Sequence, residues 1–328
     1  MNANSKIKNV LGIGSPLVDL FFTCRDDELA ELMGSKGGML PVTPQEAEQI
    51  YRRKAGTFRR MAGGAVANTL TLTVNSRVHA AILGKTGNDD LSRFYLKTLQ
   101  NRHIDCRYIY IADGISPVCV IAVTPDGERT MRSALGVSLD LTQEEISRVN
   151  FNEYYVTLAE GFLIFTPWFE EVCRLARKQS RLALDLASYH LVERYRGKFE
   201  RILRNGVWLL LANEDEAKAY TGEQDPGKIL DLLAPLAEIA VIKLGKRGAA
   251  LRCNGRNYLI PVEQEVHAVD STGAGDSWTA GFLRAIFNGA APEVAAAWGN
   301  RMAGEVVQQI GAIPDEATCQ RIQQWKFC

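Results

Sequence analysis

Short apolar runs recur along this 328-residue chain, and helical patterns separate most of them. After polar residues 1–8, Asn9–Ile13 reads as the first strand. Ala80–Leu83, Tyr154–Leu158, Leu182–Asp185, Val207–Ala212 and Ile239–Lys243 read as further buried strands. Several helices announce their starts. Thr43-Pro44-Gln45-Glu46 combines a capping-box pair with proline at the first helical position. Thr142-Gln143-Glu144-Glu145 is a second box, and Thr166-Pro167 marks a third start. Strands alternating with helices predict a mostly parallel sheet covered on both faces.

Two stretches break the rhythm, at about 17–42 and about 107–137, where no good helix is legible. Val118–Thr124, the turn Pro125-Asp126-Gly127-Glu128 and Arg129–Ser133 read as a hairpin. Strands inserted there predict a small side sheet that serves as a lid over the site. With no internal repeat and no low-complexity linker, residues 1–328 read as one domain from which the lid grows.

Thirty-eight basic residues balance 38 acidic ones, so no global field recruits nucleic acid or an anionic membrane. Arg52-Arg53-Lys54, with Arg59-Arg60 after it, reads as a solvated helix end. The seven cysteines are scattered, with no CxxC pair, and the four histidines show no ligand spacing. That argues against a disulfide framework and a zinc site. No N-terminal signal pattern and no apolar run of membrane length is present, so a cytoplasmic protein is the expectation.

The chemistry-bearing stretches are rich in glycine. Val269 to Ser277 place Gly273-Ala274-Gly275 ahead of Asp276, at the start of a helix that reads to about Phe287. Free N–H groups at a helix start attract phosphate, whereas an acidic residue there repels an anion. The two coexist sensibly if the aspartate takes a proton while the amides hold a phosphoryl group in transfer; a plain helix-capping Asp is the alternative. Gly12-Ile13-Gly14-Ser15-Pro16-Leu17 lacks the third glycine of a dinucleotide fingerprint, which disfavours a nicotinamide oxidoreductase. Asp19 follows near the carboxyl end of the first strand, placed to bond substrate hydroxyls or to stand as a surface or hinge residue. Gly63 and Gly64 let backbone approach a ligand, and Asn68 can bond a polyol in both senses; a helix N-terminus packed tightly against a strand is the alternative. Asn213 and Glu216 suit Mg²⁺ held through water, or a simple N-cap with an acidic first turn. Lys243-Leu244-Gly245-Lys246-Arg247-Gly248 forms a turn under a nucleotide or a tight hairpin into Ala249–Arg252; no P-loop motif is present.

Taken in order, these pieces resemble the ribokinase-like (PfkB) family of carbohydrate and nucleoside kinases, from the first strand to Gly311. The segment Asp270 to Asp276 is the most specific, with Ser271 where Thr is commoner and Trp278 in the aromatic position. The resemblance implies a three-layer αβα sandwich with a β-sheet lid, and ATP-dependent phosphorylation of a hydroxyl. It implies Asp276 as base, and Gly273, Ala274 and Gly275 as the anion hole. Asn213 and Glu216 match an element that positions Mg²⁺ and phosphates. Lys243, Gly245, Gly248 and Asn300 match nucleotide-contacting positions. Asp19, Gly63, Gly64, Asn68 and Glu160 match the substrate side. Asp270 and Thr272 match a loop that binds a monovalent cation, such as K⁺, in many members.

Val66 and Leu70 depart from the family pattern, and Val66 is expected to narrow the space beside the substrate. Gly12–Asp19, the Gly63-Gly64…Asn68 spacing and Glu160-Gly161-Phe162 look as close to the adenosine-kinase branch as to ribokinase. A nucleoside needs an apolar slot, which Phe21, Phe22 and Tyr110 supply unless they form the packed face of the lid. The expectation is a sugar kinase; a nucleoside kinase and a catalytically idle binding protein on the same fold are the alternatives. The partner is a small molecule, and a homodimer through a free lid edge stays open.

Overall fold

The computed structural model describes residues 7–54 and 56–325, so residues 1–6 of the polar N-terminal stretch and the cysteine at 328 lie outside the described residues. In chain order the strands are β1 (Lys8–Ile13), β2 (Val18–Thr23), β3 (Met39–Pro41), β4 (Arg59–Ala62), β5 (Val78–Gly87), β6 (Ile104–Ala112) and β7 (Val118–Val123). They continue with β8 (Arg129–Ala134), β9 (Val156–Glu160), β10 (Arg181–Asp185), β11 (Val207–Asn213), β12 (Ala237–Lys243), β13 (Ala249–Cys253) and β14 (Arg256–Ile260). Among the described residues they form a nine-stranded sheet, β14-β13-β12-β11-β10-β9-β1-β5-β6, and a five-stranded sheet, β3-β8-β7-β2-β4. From β6 to β12 every neighbour in the large sheet is parallel, and the β12–β13–β14 meander adds two antiparallel strands. The helices bury their apolar stripes on its two faces. Leu209, Leu211, Val241 and Phe282 belong to one core, and Leu210, Ile242, Phe169 and Phe199 to the other. Residues of one strand thus alternate between the two cores, as a sheet covered on both faces requires.

The small sheet is the lid. Pairing across its strands puts Asp19, Phe21, Cys119, Ile121, Val123, Arg129 and Met131 on one face. The other face carries Leu20, Phe22, Val120 and Ala122, which pack with Leu29, Met33 and Ile50 of the helices Asp26–Met33 and Pro44–Arg53. The Val118–Ser133 hairpin forms as expected, with Gly127 at φ 83° closing its turn.

Several boundaries differ from the sequence reading. Asp26–Met33 is a helix inside the stretch read as helix-free; three acidic residues stabilise its first turn, and Leu29 and Met33 share its buried face. Residues 107–112 belong to β6 and extend the main sheet, because Tyr108 to Ala112 pair in parallel with Leu83 to Gly87. Arg59 and Arg60 lie on lid strand β4, not on a helix end. Thr166 bonds back to Leu163, so the third helix starts later, at Phe169. The strand read as Tyr154–Leu158 runs from Val156 to Glu160, which brings Glu160 to the edge of the sheet.

Candidate active site

The carboxyl edge of the parallel sheet collects the charged strand ends. Glu160 and Asp185 close β9 and β10 side by side, and Asn213 and Lys243 close β11 and β12 side by side. β1 runs out beside them into Gly14-Ser15. In open α/β sheets the crevice that takes ligands lies at this edge. The helix Ala274–Phe287 points its start into it.

That start is shaped by Gly273, which sits left-handed at φ 72°; a Cβ there would lie 2.4 Å from the Ala312 Cβ. Ser277 opens the helical ladder by donating to the Gly273 carbonyl at 2.8 Å, and the Ala274 N–H donates to Ser271 at 3.1 Å. The N–H groups of Gly273, Gly275 and Asp276 have no acceptor among the described residues. The Ala274 N–H is thus engaged within the turn, whereas those of Gly273, Gly275 and Asp276 are of the kind that attracts an anion at a helix start.

Asp276 stands on the first turn beside these amides. Its Oδ2 accepts from Asn68 Nδ2 at 2.9 Å, and its carbonyl accepts from Thr69 Oγ1 at 3.2 Å. Burial pushes its carboxyl up to about 6, with Asn68 and Lys243 opposing and Asp185 adding like charge. Asp19 faces it from the lid. A Cβ on Gly63 would lie 2.3 Å from Asp19 Oδ2, and one on Gly64, at φ 90°, would lie 2.8 Å from the Ser15 carbonyl. Only glycine lets this turn close on the carboxylate and on β1. Burial, and then the charge of Asp276, push Asp19 up to about 7 against the pull of Arg129.

Glu160 is buried beneath them. It accepts from the Ser15 N–H at 2.8 Å and the Val66 N–H at 3.2 Å. Burial raises it to about 7, the two amides oppose that, and Asp276 and Asp185 add repulsion. With an oxygen on each amide, Glu160 fixes the crevice wall. The Val66 side chain packs over the first strand and its exit: a Cβ on Gly12 would meet Val66 Cγ1 at 2.1 Å, and one on Gly14 would meet Val66 Cβ and Glu160 Oε2 at 3.0 Å.

On the opposite side, Lys243 Nζ donates to Asp185 Oδ2 at 2.8 Å and lies 3.2 Å from where a Cβ of Gly275 would stand. An ammonium thus sits against the start of this helix. Burial works against its charge, yet Asp185 and Glu216 hold its pKa above the ordinary value. Asn213 and Glu216 form a full capping box: the Asn213 N–H and Nδ2 donate to the Glu216 carboxylate at 2.8 and 2.7 Å, and the Glu216 N–H donates to Asn213 Oδ1 at 2.8 Å. Gly248 is a packing glycine, since a Cβ there would lie 2.0 Å from the Ile260 carbonyl, whereas Gly245 has open space around it. Asn300 is engaged by the protein: it donates to Ile260 and Pro261 at 2.9 and 3.2 Å and accepts from Trp278 Nε1 at 2.9 Å. It braces the helix Pro292–Val306 against Trp278.

Asp270 is held by donors of the protein. Its Oδ1 accepts from the Thr272 N–H and Oγ1 at 3.0 and 2.7 Å, and its Oδ2 from the Gly311 N–H at 2.7 Å and Arg129 Nη2 at 2.6 Å. Arg129 Nη1 also donates to Thr272 Oγ1. Sequence reading missed Arg129, as well as Asp185. Asp185 carried a signal, an acidic residue closing a predicted parallel strand; Arg129 carried none. Of the three lid-slot aromatics, Phe21 lies on the face with Asp19 and Arg129. Phe22 packs edge-on against Phe58, and Tyr110 belongs to the main sheet, donating to the Glu145 carbonyl.

A buried carboxyl beside helix-start amides at the carboxyl edge of a parallel sheet, with a second small sheet next to it, is the arrangement of an α/β phosphotransferase with an alcohol group as acceptor. The chain belongs to the pfkB family of carbohydrate kinases, whose pattern matches residues 39–319. It is 26% identical over 238 residues to an uncharacterized sugar kinase of Archaeoglobus fulgidus, covering 72% of this chain and 94% of that protein. The crystal structure of adenosine kinase from Sinorhizobium meliloti matches with a TM-score of 0.85 at 30% identity, over 97% of this chain and 99% of that one. A probable sugar kinase from Rhizobium etli matches with a TM-score of 0.85 at 27% identity, over 97% and 98%. No described helix is long and apolar enough to cross a membrane.

Proposed function

We propose that this kinase transfers the γ-phosphoryl group of ATP to a hydroxyl of a sugar, with Asp276 as the base. The observation that carries the reading is the Asp276 carboxyl, raised to about 6 and held 2.9 Å from Asn68, on the same helix turn as the unused amides. The acceptor oxygen attacks the γ-phosphorus as its proton passes to Asp276. The bond to the β,γ-bridging oxygen breaks, and ADP leaves with that electron pair. The amides of Gly273, Gly275 and Asp276, with Lys243 against them, meet the charge on the transferred oxygens. Asp19 and Asn68 orient the acceptor hydroxyls, while Glu160, Gly63 and Gly64 shape their wall. Gly245 admits the nucleotide, and Gly248 and Asn300 hold the surrounding backbone.

Among the described residues no group of three acidic, histidine or cysteine side chains is placed to hold a metal. Mg²⁺ would be held by the nucleotide phosphates and water, with Asn213 and Glu216 acting on that water, and when bound it would neutralise phosphate charge.

A nucleoside is the second reading. The lid face beside Asp19 is apolar, with Phe21, Cys119, Ile121 and Met131 on it, and suits a base as well as the faces of a sugar ring. ADP release from ATP and Mg²⁺ over a panel of pentoses, hexoses, keto and deoxy sugars and nucleosides decides. One strong acceptor identifies the class; silence across the panel with ATP still bound would favour a binding protein.

A further inference from the structure

We propose that the guanidinium of Arg129, delivered by lid strand β8, takes the place of a monovalent cation at the Asp270–Thr272 loop, so that this loop is set by the lid and not by a free ion. The proposal rests on the reading of Gly273 to Asp276 as the anion site.

The Asp270 carboxylate has about four acceptor positions, and four donors reach it: the Thr272 N–H, the Thr272 hydroxyl, the Gly311 N–H and Arg129 Nη2. The pair is well shielded, with the Asp270 side chain 7% and that of Arg129 19% exposed. Burial of Asp270 disfavours its charge, but the Gly311 and Thr272 bonds and Arg129 hold its carboxyl below the usual range. The negative charge that would draw a monovalent cation is thus permanent and already answered. A second cation would lose donor-free carboxylate oxygen and meet the like charge of the guanidinium.

The guanidinium is held from the lid side as well: its carbon lies 5.8 Å from the Phe21 ring centroid, on the lid face that carries Asp19. Two residues separate Asp270 from Gly273. The Gly311–Ala312 backbone, which donates to Asp270, also packs against Gly273 so closely that a Cβ there would meet Ala312 at 2.4 Å. Arg129, Asp270, Gly311 and Gly273 therefore form one connected unit, and the position of the lid is transmitted to the amides. Arg129 is a positioning residue in this scheme.

The test uses the full chain and two readouts. The first is the unfolding midpoint without nucleotide, in 100 mM KCl, NaCl or tetramethylammonium chloride; salt of order 0.1 M keeps surface screening equal. The second is initial phosphorylation rate in the same salts. The wild-type protein is expected to hold its midpoint within about 1 °C and its rate within about twofold, while Arg129→Gln gains a K⁺ response of about fivefold or more in rate and a K⁺-dependent rise in midpoint. A wild-type rate that rises about tenfold with K⁺, or a saturable midpoint shift, overturns the proposal. So does an Arg129→Gln protein that folds and ignores K⁺. If that variant does not fold, Arg129→Lys, which keeps the charge but loses the fork, takes its place; it is expected to show an intermediate K⁺ response, and no response overturns the proposal. Absence of phosphorylation in every salt, with the midpoint indifferent to K⁺, would instead remove the kinase reading and leave the cation-free loop standing.

Discussion

In the proposed role Asp276 accepts a proton beside amides that hold an anion, and its surroundings reconcile the two demands. Burial lifts its carboxyl to about 6, while Asn68 and Lys243 keep it from rising further. A base in that position is ionised at neutral pH yet basic enough to help an alcohol oxygen attack. Turnover should therefore fall as pH drops through about 6, and a profile flat between pH 5 and 8 would remove Asp276 from the proton's path. Asp276→Asn should lower turnover by about 10²–10⁴-fold and leave ATP binding nearly intact, since only the acceptor of the proton is lost. Calorimetric ATP titration beside the rate assay checks both halves. Asp19 gives a stability test with its own sign. Its carboxyl rises from 3.8 to about 7, so the folded state binds that proton more tightly than the unfolded chain. The stability this contributes is present below about pH 4 and is lost as pH rises to about 7. Asp19→Asn should therefore melt higher than the wild type at pH 8, by about 2 °C or more, and nearly level with it at pH 4. A variant that melts lower at pH 8 would mean that the Asp19 charge is held by a partner in the folded protein.

At the scale of elements, caps and strand ends decide where the chemistry sits. Asn213 and Glu216 close a box at the start of helix Glu214–Thr221, with Glu216 buried. Changing both to alanine removes a cap worth about 1 kcal/mol. It should lower the melting temperature and, well below that temperature, raise the Mg²⁺ concentration at half-maximal rate several-fold. A lower melting point with an unchanged Mg²⁺ requirement would reduce the pair to a helix cap. The elements themselves show what sequence can carry. The buried strands, the boxes at Thr43 and Thr142 and the hairpin at Gly127 were legible because burial and turn chemistry act locally. Asp19, Asn68 and Asp276 stood out by glycine spacing and by place on a strand or helix. The helix Asp26–Met33 was hidden between glycines and a β-rich lid. Arg129 with Asp270, and Ala274 with Ser271, depend on how distant or tightly turned backbone comes together, and no local pattern records that.

At the scale of the molecule the lid is anchored where its strands cross into the main sheet, and this junction has its own polar network. Asp89 ends the loop after β5: its Oδ1 caps helix Asp90–Asn101 through the Ser92 N–H at 2.9 Å and accepts from Ser116 Oγ at 2.6 Å, and its Oδ2 accepts from the Ser116 N–H at 3.0 Å. Ser116 is the step into β7. Across the junction, Gly136 at φ 47° follows β8, where a Cβ would lie 2.1 Å from the Ile115 carbonyl. Ser138 then bonds Ser15 at 3.0 Å, beside the Glu160-held wall. Both lid strands of the hairpin are thus tied to the main body at their roots. In the proposed mechanism this anchored lid would exclude water from the phosphoryl group when the acceptor fills the site. Asp89→Asn loosens this anchoring, because an amide cannot accept on both of its atoms and one group of donors loses its partner. The acceptor KM should rise by about 3–10-fold, and ADP release without acceptor should increase relative to the coupled rate. Hydrogen exchange should quicken at Ser116 to Val118. Unchanged exchange together with unchanged coupling would show that the lid keeps its register without Asp89, and that closure is governed instead by the contacts of Arg129 at the far end of the hairpin.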